Sequence, residues 1–129
     1  MVIVKNIAGQ VYWPAFGINQ IGDWDVLEAY KVYMAADHTL IFTGSLVVPE
    51  DNPIDLGTGW SMIPYLRDTP MPIETALADL SDTLVIVKNN AGQVYWPAFG
   101  INQIGVMQPG EGYQIYLSAP DTLTYPPND

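Results

Sequence analysis

The sequence predicts a mainly β protein, β-rich α+β in class, with short antiparallel strands and hairpins in a small barrel or sandwich of internal pseudo-symmetry. Three observations carry that expectation. Short runs of Val, Ile, Tyr and Trp are punctuated by turns containing Asn, Gly and Pro. Helical spacing of apolar residues occurs in one stretch, near 72–80. A block beginning at Val2 recurs, almost unchanged, at Val85.

Val2–Lys5 and Gln10–Trp13 read as two strands around Asn6-Ile7-Ala8-Gly9, a short loop ending in glycine. Val85–Lys88 and Gln93–Trp96 repeat them around Asn89-Asn90-Ala91-Gly92. Strand alternation puts Val and Trp on one face of each hairpin and Gln and Tyr on the other, the outward one. Pro14 and Pro97 stop the ladder because proline has no N–H. Phe16–Gly22 has no clean period and reads as an ordered loop. A third strand follows at Ala29–Met34 and at Gly112–Leu117, and a fourth at Thr39–Phe42 and Thr122–Tyr125. Between the copies, Gly44–Val48 and Trp60–Leu66 read as strands and Pro49–Leu56 as a loop. Pro72 suits a first helical position, and Ile73, Leu77 and Leu80 share one helical face.

The repeat is identical at 20 of 21 positions from 2–22 to 85–105, with Ile7 against Asn90 the exception. It continues more weakly, matching Glu28 with Glu111, Tyr30 with Tyr113 and Tyr33 with Tyr116. The turn before the third strand differs. Gln108-Pro109-Gly110-Glu111-Gly112 in the second copy faces Asp25-Val26-Leu27-Glu28-Ala29 in the first, which has lost all three turn-formers. The expected organisation is one compact domain over 1–129, holding half-modules 2–43 and 85–126 and a single central segment 44–84. The alternative division is a half-module at 1–55 and a full module at 56–129. Packing alone tolerates exchanges such as Ile for Val. Near-identity therefore reflects either a recent duplication or a duplicated ligand surface.

Composition narrows the function classes. Of 129 residues, 49% are hydrophobic and 14% charged, too apolar for a disordered chain. The net charge of −10, with four scattered cations, argues against nucleic acid, whose phosphates require clustered Lys or Arg. With no cysteine there is no disulfide, thiol nucleophile or thiolate-ligated metal. No signal peptide is recognisable in this chain, and no window reaches the roughly 20 apolar residues of a membrane helix.

Catalytic and metal constellations are not apparent. His38, the single histidine, faces Asp121 in the other copy and reads as a solvated turn residue. Ser45, Ser61, Ser81 and Ser118 lie outside any Gly-x-Ser-x-Gly elbow. Glu28 and Glu111, the acids shared by the copies, read as structural. Asp23 with Asp25, and Glu50-Asp51-Asn52 with Asp55, lack EF-hand spacing. No cofactor or metal is expected. The best binding candidates are a duplicated aromatic and amide set: Gln10, Tyr12, Trp13, Phe16, Asn19 and Gln20, repeated as Gln93, Tyr95, Trp96, Phe99, Asn102 and Gln103. Rings beside amides stack on sugars and bond their hydroxyls, or form a protein hot spot. The same residues also serve to fill a core and satisfy loop backbone.

Gly59-Trp60-Ser61-Met62-Ile63-Pro64, then the helix, then Leu84–Asn89, then Gln108-Pro-Gly-Glu-Gly-Tyr-Gln-Ile-Tyr116, form an ordered pattern. It resembles a module repeated in large secreted or surface-anchored bacterial proteins, with a GW-x-x-I start and a PGxGY end. The resemblance implies a full unit at 59–126, a unit without its GW-and-helix half at 2–43, a non-catalytic role and a secreted or cell-surface setting. Two C-terminal halves thus share one N-terminal half. The orphan is covered by the common middle, by segment 44–58, or by another chain in a homodimer or swapped oligomer. The leading expectation is a self-associating, non-catalytic structural or protein-interaction module. The other is a carbohydrate-binding module using the aromatic and amide surface, with a glycan rather than a protein as ligand.

Overall fold

A computed structural model of the chain describes residues 1–39, 45 and 47–128. The protein is mainly β, and among the described residues its antiparallel sheets stay open rather than closing into a barrel. The first copy forms β1 (Ile3–Lys5), β2 (Val11–Trp13), β3 (Ile18–Asn19) and β4 (Lys31–Tyr33), ordered β3-β2-β1-β4. The middle adds β5 (Ile54–Leu56), β6 (Gly59–Pro64), β7 (Met71–Pro72) and α1 (Ile73–Ala76). The second copy supplies β8 (Leu84–Lys88), β9 (Val94–Trp96), β10 (Ile101–Asn102), β11 (Val106–Met107), β12 (Gly112–Leu117) and β13 (Asp121–Leu123).

The hairpins close for a local reason. Asn6 Oδ1 accepts from the Gln10 amide at 2.9 Å while Asn6 Nδ2 donates to Gln10 Oε1 at 2.9 Å. Asn89 and Gln93 repeat both bonds. Gly9 and Gly92 take φ of +82° and +80° there, a region that L side chains avoid. The stretch after each proline is more ordered than a loop. Pro14–Phe16 and Pro97–Phe99 are 3-10 turns closed by left-handed Gly17 and Gly100, and two-residue strands follow.

The two copies then part company. The second builds a five-stranded sheet, β10-β9-β8-β12-β6, in which β12 is paired along both edges. β7 pairs with β11 and β5 with β13. The middle segment therefore joins the second half-module: beneath its sheet, Ile63, Ile73, Leu77, Leu80, Val87, Met107, Ile115 and Tyr125 form one buried cluster. In the first copy β4 pairs with β1, and no described strand lies along its other edge.

The expected helix over 72–80 is shorter. Pro72 belongs to β7, α1 ends at Ala76, and the chain tightens into a 3-10 turn over Ala78–Leu80. That change of pitch lets Ile73, Ala76, Leu77 and Leu80 all enter the core. The strands expected over 39–42 and 44–48 fall largely outside the described residues.

Candidate functional site

The aromatic and amide set does not lie on a single face. Tyr12 is opposite Val4 and Asn19, whereas Trp13 is opposite Ile18. Val4 is buried, so Tyr12 and Asn19 share the inner face while Trp13 lies on the outer one. In the second copy Tyr95 pairs with Val87 and packs on the core. The outward orientation that the sequence predicts for Tyr12 and Tyr95 is therefore reversed: both lie on the face of buried Val4 and Val87. Alternation shows that Tyr and Trp part company, but which side is buried depends on where the middle segment packs.

On the outer face Trp13 meets Phe16 edge-on at 4.6 Å, and Trp96 meets Phe99 at 4.6 Å. Both phenylalanines are 67% exposed, so the pair presents the same ring platform twice. The amides beside them are largely committed to backbone. Gln20 Oε1 accepts from Val11 N at 3.0 Å and Gln103 Oε1 from Val94 N at 3.1 Å. Asn19 Oδ1 accepts from Gly22 N at 2.9 Å and Asn102 Oδ1 from Gly105 N at 2.8 Å. Gln10 and Gln93 are held by Asn6 and Asn89.

The shared acids act in the same way in both copies. Tyr113 Oη accepts from Gln108 N at 2.9 Å and donates to Glu111 at 3.0 Å; Tyr30 Oη accepts from Asp25 N at 2.8 Å and donates to Glu28 at 3.1 Å. Burial pushes the Tyr113 hydroxyl up to about 12, and the Glu111 carboxylate adds to the rise. Tyr30 is raised for the same leading reason. Gly110 has φ +82° in the second turn; at that place the first copy has Leu27, and no described non-glycine residue takes positive φ. Asp25 compensates, its carboxylate accepting from Leu27 N at 2.9 Å. The residues that replaced Pro and Gly have a use. Leu27 packs on the main core, and Ala29 lies against Gly112.

The feature missed at the sequence level is the difference between twin positions. Ile115 and Met107 are completely buried, whereas Val32 is 43% and Trp24 48% exposed. Tyr116 stacks edge-on with Trp60 at 5.3 Å, beneath a Lys88 ammonium 5.1 Å from the indole. Tyr33, lacking a tryptophan at the corresponding place, is 64% exposed. An open cleft of about 790 Å³ runs between the copies, lined by Tyr30, Lys31 and Val32 on one side and Lys88, Glu111 and Gln114 on the other. A recess of about 310 Å³ lies under the first sheet, lined by Val4, Tyr12, Asn19, Ile21, Gly22 and Trp24.

Among the described residues, no group of three or more His, Asp or Glu is placed to hold a metal. None of their helices is long and apolar enough to cross a membrane. Comparison with protein-family models, curated proteins and solved structures gave no match.

Proposed function

We propose that this chain is a non-catalytic structural or protein-interaction module of bacterial-surface type, self-associating through its first half-module. The observation that supports it is the outer edge of β4, along which no described strand lies, at a position where β12 of the second copy is strand-paired on both sides. An edge unpaired among the described residues, beside exposed Val32 and Tyr33, is a template for another strand. Two chains pairing their β4 edges antiparallel would join two four-stranded sheets into one about a two-fold axis. Light scattering across a dilution series tests this: a mass near twice the 14.2 kDa of the chain is expected, and 14.2 kDa throughout overturns it.

The exposed Trp13–Phe16 and Trp96–Phe99 platforms favour a second reading, a carbohydrate-binding module. Aromatic platforms stack on the apolar faces of sugars. Titration with oligosaccharides, followed by tryptophan emission, tests it; no spectral change at millimolar glycan removes it.

A further inference from the structure

The recess under the first sheet has an occupied twin. Its lining residues Val4, Tyr12, Asn19, Ile21, Gly22 and Trp24 correspond to Val87, Tyr95, Asn102, Ile104, Gly105 and Met107. In the second copy, that place holds the strand-to-helix segment beginning at Met71. Met71 and Pro72 pair with Met107 and Val106. The Ile73 amide donates to Gly105 O at 2.9 Å, and Asn102 Nδ2 donates to Glu74 Oε1 at 2.7 Å. Ile73, Ala76 and Leu77 fill the apolar floor against Val87 and Met107, with Tyr95 and Ile104 at its margin.

The first copy keeps the receiving groups in place. Asn19 Oδ1 is held by Gly22 N, as Asn102 Oδ1 is by Gly105 N. That bond fixes the amide so that its Nδ2 faces the position Glu74 takes in the twin. Five of the six lining residues are identical between copies, and Trp24 for Met107 is the one exchange.

We propose, building on the interaction-module reading, that this recess binds a strand-to-helix segment of the pattern apolar-Pro-Ile-Glu-x-Ala-Leu, supplied by a different polypeptide. A second copy of this chain does not complete it. Each chain carries two such sites and one such segment, already seated on its own second half-module, so lending it opens one site for every site closed. The occupant is therefore a different chain that has this pattern in surplus. The glutamate supplies the charge for Asn19, the amide after proline a donor for Gly22 O, and the isoleucine, alanine and leucine the apolar contact.

A peptide of residues 69–80 titrated into the isotope-labelled full chain, at physiological salt, tests this by NMR. Saturable shifts at Asn19, Gly22 and Trp24 are expected, with Asn19→Asp weakening binding about tenfold by setting a carboxylate against Glu74. Replacing the peptide's isoleucine by serine should abolish the shifts. No shift at millimolar peptide, or shifts confined to Asn102, Gly105 and Met107, overturns the proposal. So does a first-copy shift that follows protein concentration alone, which would mean a second copy sits in the recess. Light scattering on the same samples separates the two readings. Peptide binding to a single-chain species sinks self-association only, and a dimer blind to peptide sinks the recess assignment only.

Discussion

At residue scale, Gly112 and Ala29 occupy equivalent places in the two copies and touch each other. A β-carbon on Gly112 would lie 2.7 Å from the Ala29 β-carbon, which has no flexible end to swing aside. Gly112→Ala should therefore cost roughly 1–3 kcal/mol by overpacking. Ala29→Gly in the same chain should restore most of it, a coupling readable from a double-mutant cycle in urea. A neutral Gly112→Ala would show that the half-modules do not rest on each other. Tyr113 makes a prediction against pH. Its hydroxyl ionises near 10.0 in an unfolded chain and at about 12 in the fold. The raised value means that its contribution is complete below pH 10 and is lost as pH climbs through 12. Tyr113→Phe should flatten this alkaline limb, which buried Tyr125 shares. It should also cost about 1–3 kcal/mol, because the Gln108 amide loses its acceptor.

Between elements, the same strand sequence has different worth according to what covers it. Ile115→Ala should cost about 2–5 kcal/mol, because β12 is packed from below and flanked on both edges. Val32→Ala, its twin in β4, should change the stability of a lone chain by no more than about 0.5 kcal/mol. Urea melts of both variants give the comparison, and equal costs would place a covering element under the first sheet. This contrast explains what was readable beforehand. The hairpins were legible because Asn6, Gly9 and Gln10 close them with contacts four residues apart or fewer, and the repeat predicted the second set. The β class followed from the same local signals. The faces were not legible: period-two alternation is symmetric, and only the long-range seating of Ile73 and Leu77 makes Tyr95 the inner residue. Nor was the short helix, since its pitch changes at Leu77 to deliver four apolar side chains to a core that lies elsewhere in the sequence. Within the candidate site, residue types were visible but their division between two faces was not. Val11, Tyr12 and Trp13 read the same in isolation whichever side a partner covers.

For the whole molecule, the apolar excess is unevenly distributed. The second half-module with the middle segment holds the main buried cluster. The first keeps Val4 and Ala29 buried but leaves Tyr12, Trp24, Val32 and Tyr33 at the surface. An overall charge of −10 opposes indiscriminate association, so the proposed pairing calls for a specific edge rather than general stickiness. Lys5 and Lys31 stand opposite each other on neighbouring strands β1 and β4, placing two cations beside this edge. Val32→Lys adds a third cation at its centre, a device that sheet edges use to refuse partners. Across an antiparallel β4–β4 pair about a two-fold axis the new lysines would face one another. The proposed dimer should then dissociate at least tenfold more readily in light-scattering dilution series. Raising the salt should recover part of that loss by screening, since the edge is solvent-exposed. The fold itself should be unaffected, because Val32 is 43% exposed in the single chain. An unchanged dimer in Val32→Lys would move the self-association surface away from β4, to the outer face bearing Phe16 and Phe99.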